Sequence, residues 1–522
     1  MADSFWFAVA PAVMSGAGLS LLVERFLVPP PLPVWRRPAA TLAIHLGLWL
    51  WLMACLLLVL QRPVFSAALL LAGLLFLILV SNAKYDSLRE PFLFQDFEYF
   101  RDALRHPRLY LPFLGIGRAV LALLAVAGAL GAGLVIEQPL TASLAVRDFL
   151  GGSAILALSG LALLWIGRRK AVPVSYEATA DLQRLGLMAA MWRYGEDELL
   201  AAPVSQPYAL LAASPPGAAN ADHLVVVQSE SFFDVRRLFS GVRREVLSEF
   251  DALRAGSIAH GQLEVAAWGA NTVRTEFAFF SGLSSESLGV HRFNPYRRLA
   301  RRPMTTLVGF LKSCGYRTVC VHPYHAGFYA RDKVFPLLGF DEFIDIRGFA
   351  GAARSGPYIG DLAVAEKVCS LLRTAGGQRL FVFVITMENH GPLHLEKVLP
   401  GEAERFYTLP PPSGCDDLAV YLRHLCHADR MAGMLRAELE NLPGNGSLCW
   451  FGDHVPIMPE VYRRVGPPGE NTDYFFWQKG RQTDQGIRHD LAVENLGCLL
   501  LQEMGLLVAP GEEAQDRAPR RH

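Results

Sequence analysis

The sequence predicts two structures joined in one chain: an N-terminal bundle of about five transmembrane helices, then an α/β domain with a mostly parallel central sheet. Three observations carry this prediction. Five uncharged apolar runs crowd the first 170 residues, short apolar runs alternate with helical segments from His223 onward, and charge is divided unevenly between the two parts. Over 522 residues the 49 basic and 49 acidic side chains cancel. Residues 1–170, however, hold 14 basic and 9 acidic groups, so a positive membrane half is balanced by a negative soluble half. With 52% hydrophobic and 19% charged residues the chain is no disordered polymer, and its charge balance gives no reason to expect a nucleic-acid partner. Eight cysteines, none in a CxxC pair, make neither a disulfide scaffold nor a thiolate metal site.

The apolar runs are Phe5 to Val23, Ala39 to Gln61, Val64 to Leu79, Ala119 to Ile136 and Phe149 to Gly167. Most reach the ~20 residues that cross a hydrocarbon core at ~1.5 Å per residue. The third does so only if Ser81 and Asn82 are included. None shows the polar stripe of a buried helix in a soluble protein. The first is expected to be retained rather than cleaved, because further spans follow and its flank carries Asp3 instead of a basic cluster. Between the third and fourth runs, Phe92, Phe97, Phe100 and Leu104 recur near helical spacing. They are opposed by Asp96, Glu98, Arg101, Asp102 and Arg105, and Pro107 closes the segment. Residues 84–118 thus read as an amphipathic helix on the membrane surface, or equally as a connecting helix.

Residues 171–222 form a join, with an amphipathic helix from Thr179 to Trp192 and a Pro/Gly/Ala-rich linker from Ser205 to Ala219. The soluble domain spans 223–509, and the polar tail 510–522 is expected to be disordered. Strands are predicted at Leu224 to Gln228, Thr318 to His322, Leu380 to Thr386 and Leu448 to Phe451. Helices are predicted at Thr305 to Cys314 with Gly315 as its cap, Leu362 to Thr374, Leu418 to Leu442 and Leu491 to Met504. Such alternation makes an α/β fold around a largely parallel sheet.

Ligands of open α/β sheets bind at the carboxyl ends of strands. Four predicted strand ends carry chemistry: Glu230, the pair Asp453 and His454, the group Met387, Glu388, Asn389 and His390, and the group His322, Tyr324 and His325. Taken singly, Glu230 reads as a solvated loop carboxylate, His390 as a turn residue and Asp453 as a helix cap. Their coincidence points to a site. Two carboxylates and an imidazole suit a divalent cation such as Mn²⁺, Mg²⁺ or Zn²⁺. Thr272 follows a Gly-Ala-Asn turn and opens a predicted helix, where free N–H groups favour an anionic phosphoryl group, although a plain N-cap has the same signature. Ser229 and Ser231 lack the flanking glycines of a nucleophile elbow, and no Walker A pattern occurs.

These residues resemble the lipoteichoic acid synthase group of phosphoglycerol transferases, which has the alkaline phosphatase/sulfatase fold. The group's metal-site motifs are a Glu after the first strand, a Thr in Gly-x-Thr-x-x-x-Glu-Phe, and a late Asp-His pair. They correspond here to Glu230, Thr272 (with Gly269 displaced by one position), Asp453 and His454. The substrate-binding His, aromatic and Arg correspond to His322, Tyr329 and Arg331, with Tyr where Trp is common, and the Asn-His pair corresponds to Asn389 and His390. The Cys-x-Pro-x-Arg nucleophile motif of sulfatases is missing. So is the cysteine-bracketed threonine of phosphoethanolamine transferases, since no cysteine lies between Cys55 and Cys314.

The resemblance implies a two-step transfer. A cation held by Glu230, Thr272, Asp453 and His454, Mn²⁺ first, would ease ionisation of the Thr272 hydroxyl. Thr272 would attack a phospholipid donor such as phosphatidylglycerol, and an envelope polysaccharide, glucan or polyglycerol-phosphate acceptor would then displace it. His390 would serve the leaving oxygen, and His322, Tyr329 and Arg331 would hold the phosphoglycerol, with Arg331 as a bidentate fork. The alternatives are a phosphoethanolamine transferase or lipid-headgroup phosphodiesterase, and a non-catalytic assembly or sensor protein. The resemblance also implies a bacterial cytoplasmic membrane protein whose catalytic half lies in the periplasm or extracellular space. Loop charge says the opposite: Arg36, Arg37, Lys84, Arg89, Arg101, Arg105, Arg108, Arg168, Arg169 and Lys170 lie on the side of the soluble half, against Arg62 and Arg147 on the other, which by the positive-inside rule is a cytoplasmic signature.

Overall fold

The computed structural model describes residues 4–107, 117, 120, 124, 127, 128, 131, 133–170, 172–200, 206–211, 222–481 and 486–507. The chain separates into two compact units, Met1–Ala201 and Ala202–His522.

Among the described residues, four helices of the first unit are long and apolar enough to cross a membrane: Phe5–Phe26, whose last turn is 3-10, Ala39–Leu60, Pro63–Leu88 and Val146–Arg169. The third runs through Ser81 and Asn82 and so reaches full length. The predicted run from Ala119 to Ile136 lies mostly outside the described residues, as do most of the linker and the tail beyond 507. Small residues let the second and last helices meet backbone to backbone. A Cβ at Gly47 would sit 2.8 Å from the Gly160 carbonyl oxygen, and one at Gly160 would sit 2.7 Å from the Trp51 nitrogen. A buried polar group ties this unit together. Glu24 pairs with Arg37, lies 3.5 Å from His45 Nδ1 and accepts from the Met188 N–H, while His45 Nε2 is 2.8 Å from Ser20 Oγ.

Two expectations for this unit change. The predicted helix from Thr179 to Trp192 is two helices, Ala178–Leu185 and Leu187–Leu199, broken at Gly186 (φ +80°). The aromatic segment after Lys84 is not one amphipathic helix either. It is a 3-10 turn at Phe94–Glu98 followed by a short helix at Tyr99–Arg105, and residues 108–116 fall outside the described set. Phe92, Phe97 and Phe100 pack on one another at 5.2–5.9 Å, and Phe100 stacks on Phe76. Asp96, expected on a solvated face, is buried against Lys84 at 2.6 Å, because the loop turns back on the end of the preceding helix.

The second unit is built on a nine-stranded sheet. Its strands are β1 (His223–Ser229), β2 (Ala259–Glu264), β3 (Arg317–Val321) and β4 (Glu342–Ile344), followed, after a separate hairpin of β5 (Arg354–Ser355) and β6 (Tyr358–Ile359), by β7 (Leu380–Ile385), β8 (Gly446–Gly452), β9 (Thr472–Gln478), β10 (Ile487–Arg488) and β11 (Leu491–Ala492). The order is β10-β2-β9-β8-β1-β7-β3-β4, with β11 also on β2. β8, β1, β7, β3 and β4 are mutually parallel, and β9 runs against β8 and β2. Both faces are covered, so the strands read as unbroken apolar runs. In β1, Val225 and Val227 enter the core under the helices Asp361–Arg373 and Asp416–Asn441. Leu224 and Val226 enter the core under Thr272–Ser281 and Val493–Glu503. The four predicted strands and four predicted helices all form, within two or three residues of their expected ends. Gly315, at φ +88°, follows the Leu307–Ser313 helix.

Candidate active site

Pairing in register brings Ser229 of β1 beside Gly452 of β8, so Glu230, Asp453 and His454 leave adjacent strand ends together. The chain after β1 crosses the end of β8 closely: a Cβ at Gly452 would lie 1.8 Å from the Phe232 carbonyl oxygen, which only glycine permits. Ser231 adopts a left-handed conformation (φ +55°) and donates its N–H to Asp453 Oδ1 at 2.8 Å. The Glu230 N–H donates to Thr386 Oγ1 at 2.9 Å, and the Tyr421 hydroxyl donates to the Ser231 carbonyl at 2.8 Å.

All three side chains are buried, and their ligand atoms lie within 4.8 Å of one another. His454 Nδ1 is 3.2 Å from the Val455 carbonyl oxygen. Donation there leaves Nε2 as an acceptor, 3.5 Å from Glu230 Oε1 and 3.4 Å from Asp453 Oδ2. Among the described residues Asp453 Oδ2 has no hydrogen-bond partner. Burial, then the neighbouring Asp453 carboxylate, push the Glu230 carboxyl up to about 8. Two carboxyl oxygens and one imidazole nitrogen converge here, a donor set that fits a divalent cation of hard or borderline character.

Thr272 is the first residue of the helix Thr272–Ser281 and is buried. The residue before it, Asn271, takes the left-handed conformation (φ +65°) and makes no side-chain cap, so Thr272 does not serve as the cap itself. One turn on, Thr275 donates its hydroxyl to the Asp453 carbonyl at 2.9 Å, which fastens the opening of this helix to the carboxylate strand end. The same helix carries Glu276, whose carboxylate holds Arg331 through Nε (3.2 Å) and Nη2 (2.8 Å) and accepts from the Tyr296 hydroxyl.

Arg331 Nη1 is 3.2 Å from His322 Nε2, and His322 Nδ1 is 3.1 Å from the Ile385 carbonyl oxygen. His322 therefore donates from Nδ1 and accepts from Arg331, and burial, reinforced by the Arg331 charge, holds it well below the usual histidine range. The Arg331 fork that the sequence led us to expect on a phosphate grips the Glu276 carboxylate instead. Tyr329 and Ala330 are both left-handed (φ +55°), strain of about 1–2 kcal/mol each, and Arg331 lies over the Tyr329 ring at 5.3 Å. At the end of β7, Asn389 is buried with both amide atoms unpartnered among the described residues. His390 Nδ1 is 2.8 Å from the Gly391 carbonyl oxygen, and burial lowers its basicity.

Sequence reasoning assigned no role to Glu276, Tyr296, Asp361, His424 or His427. Glu276 was legible as the fourth residue after Thr272 on one helical face; the others come together only through tertiary packing.

A family model described as Sulfatase matches residues 222–496, more than half of the chain. The chain belongs to that family, within the alkaline phosphatase/sulfatase superfamily of phosphoryl- and sulfate-group enzymes. It is 28% identical over 436 residues to the capsular polysaccharide biosynthesis protein RkpI of Rhizobium meliloti, covering 79% of this chain and 77% of that one. Its fold is similar to that of the integral membrane lipooligosaccharide phosphoethanolamine transferase A of Neisseria meningitidis, with a TM-score of 0.54 and 13% identity over 95% of this chain and 96% of that one. The Streptococcus pyogenes phosphoglycerol transferase GacH, in complex with sn-glycerol-1-phosphate, aligns with a TM-score of 0.47 and 20% identity over 63% of this chain and 84% of that one.

Proposed function

We propose that the chain is a metal-dependent phosphoglycerol transferase. It takes phosphoglycerol from a phospholipid, phosphatidylglycerol first, through Thr272 to an envelope glycan or glycerol-phosphate polymer. The observation that carries this reading is the convergence of acceptor atoms from Glu230, Asp453 and His454 at the strand end where Thr275 fastens the Thr272 helix. A divalent cation held by these three residues and Thr272, Mn²⁺ before Mg²⁺ or Zn²⁺, supplies Lewis-acid stabilisation of negative charge on the threonine oxygen and the phosphoryl group.

Thr272 Oγ1 forms the new P–O bond as the bond to the diacylglycerol oxygen breaks, leaving phosphoglycerol on the threonine. His390, with Nδ1 engaged by the Gly391 carbonyl, passes a proton from Nε2 to the departing diacylglycerol oxygen, while the Thr272 proton is lost to solvent. In the second step His390, on the same side, takes the acceptor hydroxyl proton, and Thr272 leaves as the opposite oxygen and is reprotonated from solvent. His322, Tyr329 and Arg331 form the phosphoglycerol side of the site; the substrate binds there by turning Nε2 of His322 or the Arg331 guanidinium from one another toward the phosphate, and the amide of Asn389 offers a donor and an acceptor to the glycerol hydroxyls. Similarity to a capsular polysaccharide biosynthesis protein supports an envelope polysaccharide as acceptor.

This reading places the chain in the bacterial cytoplasmic membrane, with the catalytic unit on the periplasmic or extracellular face. Three of the basic residues that argue otherwise are tied to carboxylates of the protein: Arg37 to Glu24, Lys84 to Glu90 and Asp96, and Arg168 to Glu196. A reporter fused after Lys170 is expected to read the non-cytoplasmic side. For the reaction, the full chain in liposomes with labelled phosphatidylglycerol, Mn²⁺ and a glucan acceptor is expected to release diacylglycerol and label the glucan. Consumption of phosphatidylethanolamine in its place, or free glycerol phosphate with an unlabelled glucan, would replace this reading by one of the two alternative activities.

A further inference from the structure

A second cluster of ligand atoms shares no residue with the three already described. Glu388 follows β7, and its Oε1 is approached by two ring nitrogens, His424 Nδ1 at 2.8 Å and His427 Nδ1 at 2.5 Å. The two histidines are three residues apart on the Asp416–Asn441 helix and so share one face. The three ligand atoms lie within 4.8 Å of one another.

Two of the three residues have their remaining polar atom held by another group. His424 Nε2 is 3.2 Å from Glu396 Oε1, and Glu388 Oε2 accepts the Asp361 N–H at 2.7 Å. A carboxylate on the far nitrogen of an imidazole is the outer partner that orients a metal-ligating histidine.

A separate observation is an unmet buried oxygen beside the cluster. Asp361 is 1% exposed, donates its N–H to Glu388, and its Oδ1 has no hydrogen-bond partner among the described residues. The two imidazoles now supply the positive charge that balances Glu388, and a cation that displaces their protons would keep that balance while taking both rings as ligands. The His427 side chain is 26% exposed, which leaves an approach from solvent.

We propose that Glu388, His424 and His427 hold a second divalent cation, of borderline character and with zinc favoured by the two-imidazole, one-carboxylate donor set. It links the long helix Asp416–Asn441 to the strand end that carries Asn389 and His390, and so fixes that loop. The proposal does not rest on the phosphoglycerol reading.

The test uses the full chain in detergent, stripped with a chelator, reloaded with Zn²⁺ alone and dialysed, with metal per chain measured by mass spectrometry and folding by circular dichroism. Wild type is expected to carry one more zinc than His427→Ala. The Glu230→Gln/Asp453→Asn chain, with the other cluster disabled, is expected to keep one zinc, and Zn²⁺ is expected to raise its melting temperature. Adding His427→Ala to that chain is expected to remove both the zinc and the shift. A folded Glu230→Gln/Asp453→Asn chain that takes up no zinc would overturn the proposal. So would equal zinc content in wild type and His427→Ala, a half-buried position that tolerates substitution better than His424.

Discussion

Arg331 Nη2 lies 2.8 Å from Glu276 Oε2, a fully buried ion pair that joins the helix opening at Thr272 to the helix opening at Arg331. Through Nη1 the same guanidinium also reaches His322. The nucleophile helix and the proposed substrate-binding group are thus one connected polar unit. Removing one partner strands a buried charge. Glu276→Ala is expected to cost about 3–5 kcal/mol in unfolding free energy, with Glu276→Gln costing less because it keeps the side-chain volume and one of the two acceptor oxygens. Melting of the two variants in detergent checks this; a loss below about 1 kcal/mol for Glu276→Ala would show that the pair does not organise the site.

Asp453→Asn separates the roles of carboxylate and cation. Without metal, this change leaves the effect of burial on Glu230 but removes the repulsion from the neighbouring carboxylate, so the stripped protein is expected to be as stable as wild type or more so. With metal the order reverses. Mn²⁺ affinity is expected to fall by more than the ~10–100-fold seen on losing an outer partner, and transfer activity is expected to disappear. Calorimetric titration with Mn²⁺ and melting with and without chelator read both signs.

His322 gives the folded state an acid sensitivity. Its folded pKa is depressed, so as pH falls through ~6.5 the unfolded chain takes up the proton first, and stability is lost progressively until the folded pKa is reached. The slope is at most about 1.4 kcal/mol per pH unit for one proton. Melting curves between pH 7.5 and 5 are expected to fall less steeply for His322→Gln than for wild type; parallel curves would contradict a neutral buried imidazole.

In the membrane half, Gly160→Val places side-chain atoms where the Trp51 backbone and the Gly47 carbonyl already lie. The expected outcome is separation of the Ala39–Leu60 and Val146–Arg169 helices, read as a lower melting temperature in detergent. Gly73→Ala, where no described residue lies within 4 Å of the added carbon, is expected to be neutral.

Much of this architecture was legible because its physics is local. Continuous apolar runs announced the spans, and buried parallel strands announced β1, β3, β7 and β8. β2 was not legible: its Ala-His-Gly-Gln-Leu-Glu run has neither alternation nor β-branched residues, and it is a strand because β9 pairs with it. The Glu230, Asp453 and His454 group could be read from strand ends, since ends of neighbouring parallel strands must meet. Asp361, His424 and His427 lie on helices whose docking against β7 is set by long-range packing, and no spacing in the sequence joins them to Glu388. The Arg331 fork was misjudged for a related reason: only the folded chain shows that Glu276 reaches it first.

The central claim is that Thr272 carries phosphoglycerol between donor and acceptor. Full chain incubated with phosphatidylglycerol and Mn²⁺ without acceptor, digested and analysed by peptide mass spectrometry, tests it most directly. The peptide containing Thr272 is expected to carry a phosphoglycerol adduct that is lost in Thr272→Ala and discharged when the acceptor is added. Turnover of the lipid with no adduct on Thr272, or with undiminished turnover in Thr272→Ala, would contradict the account.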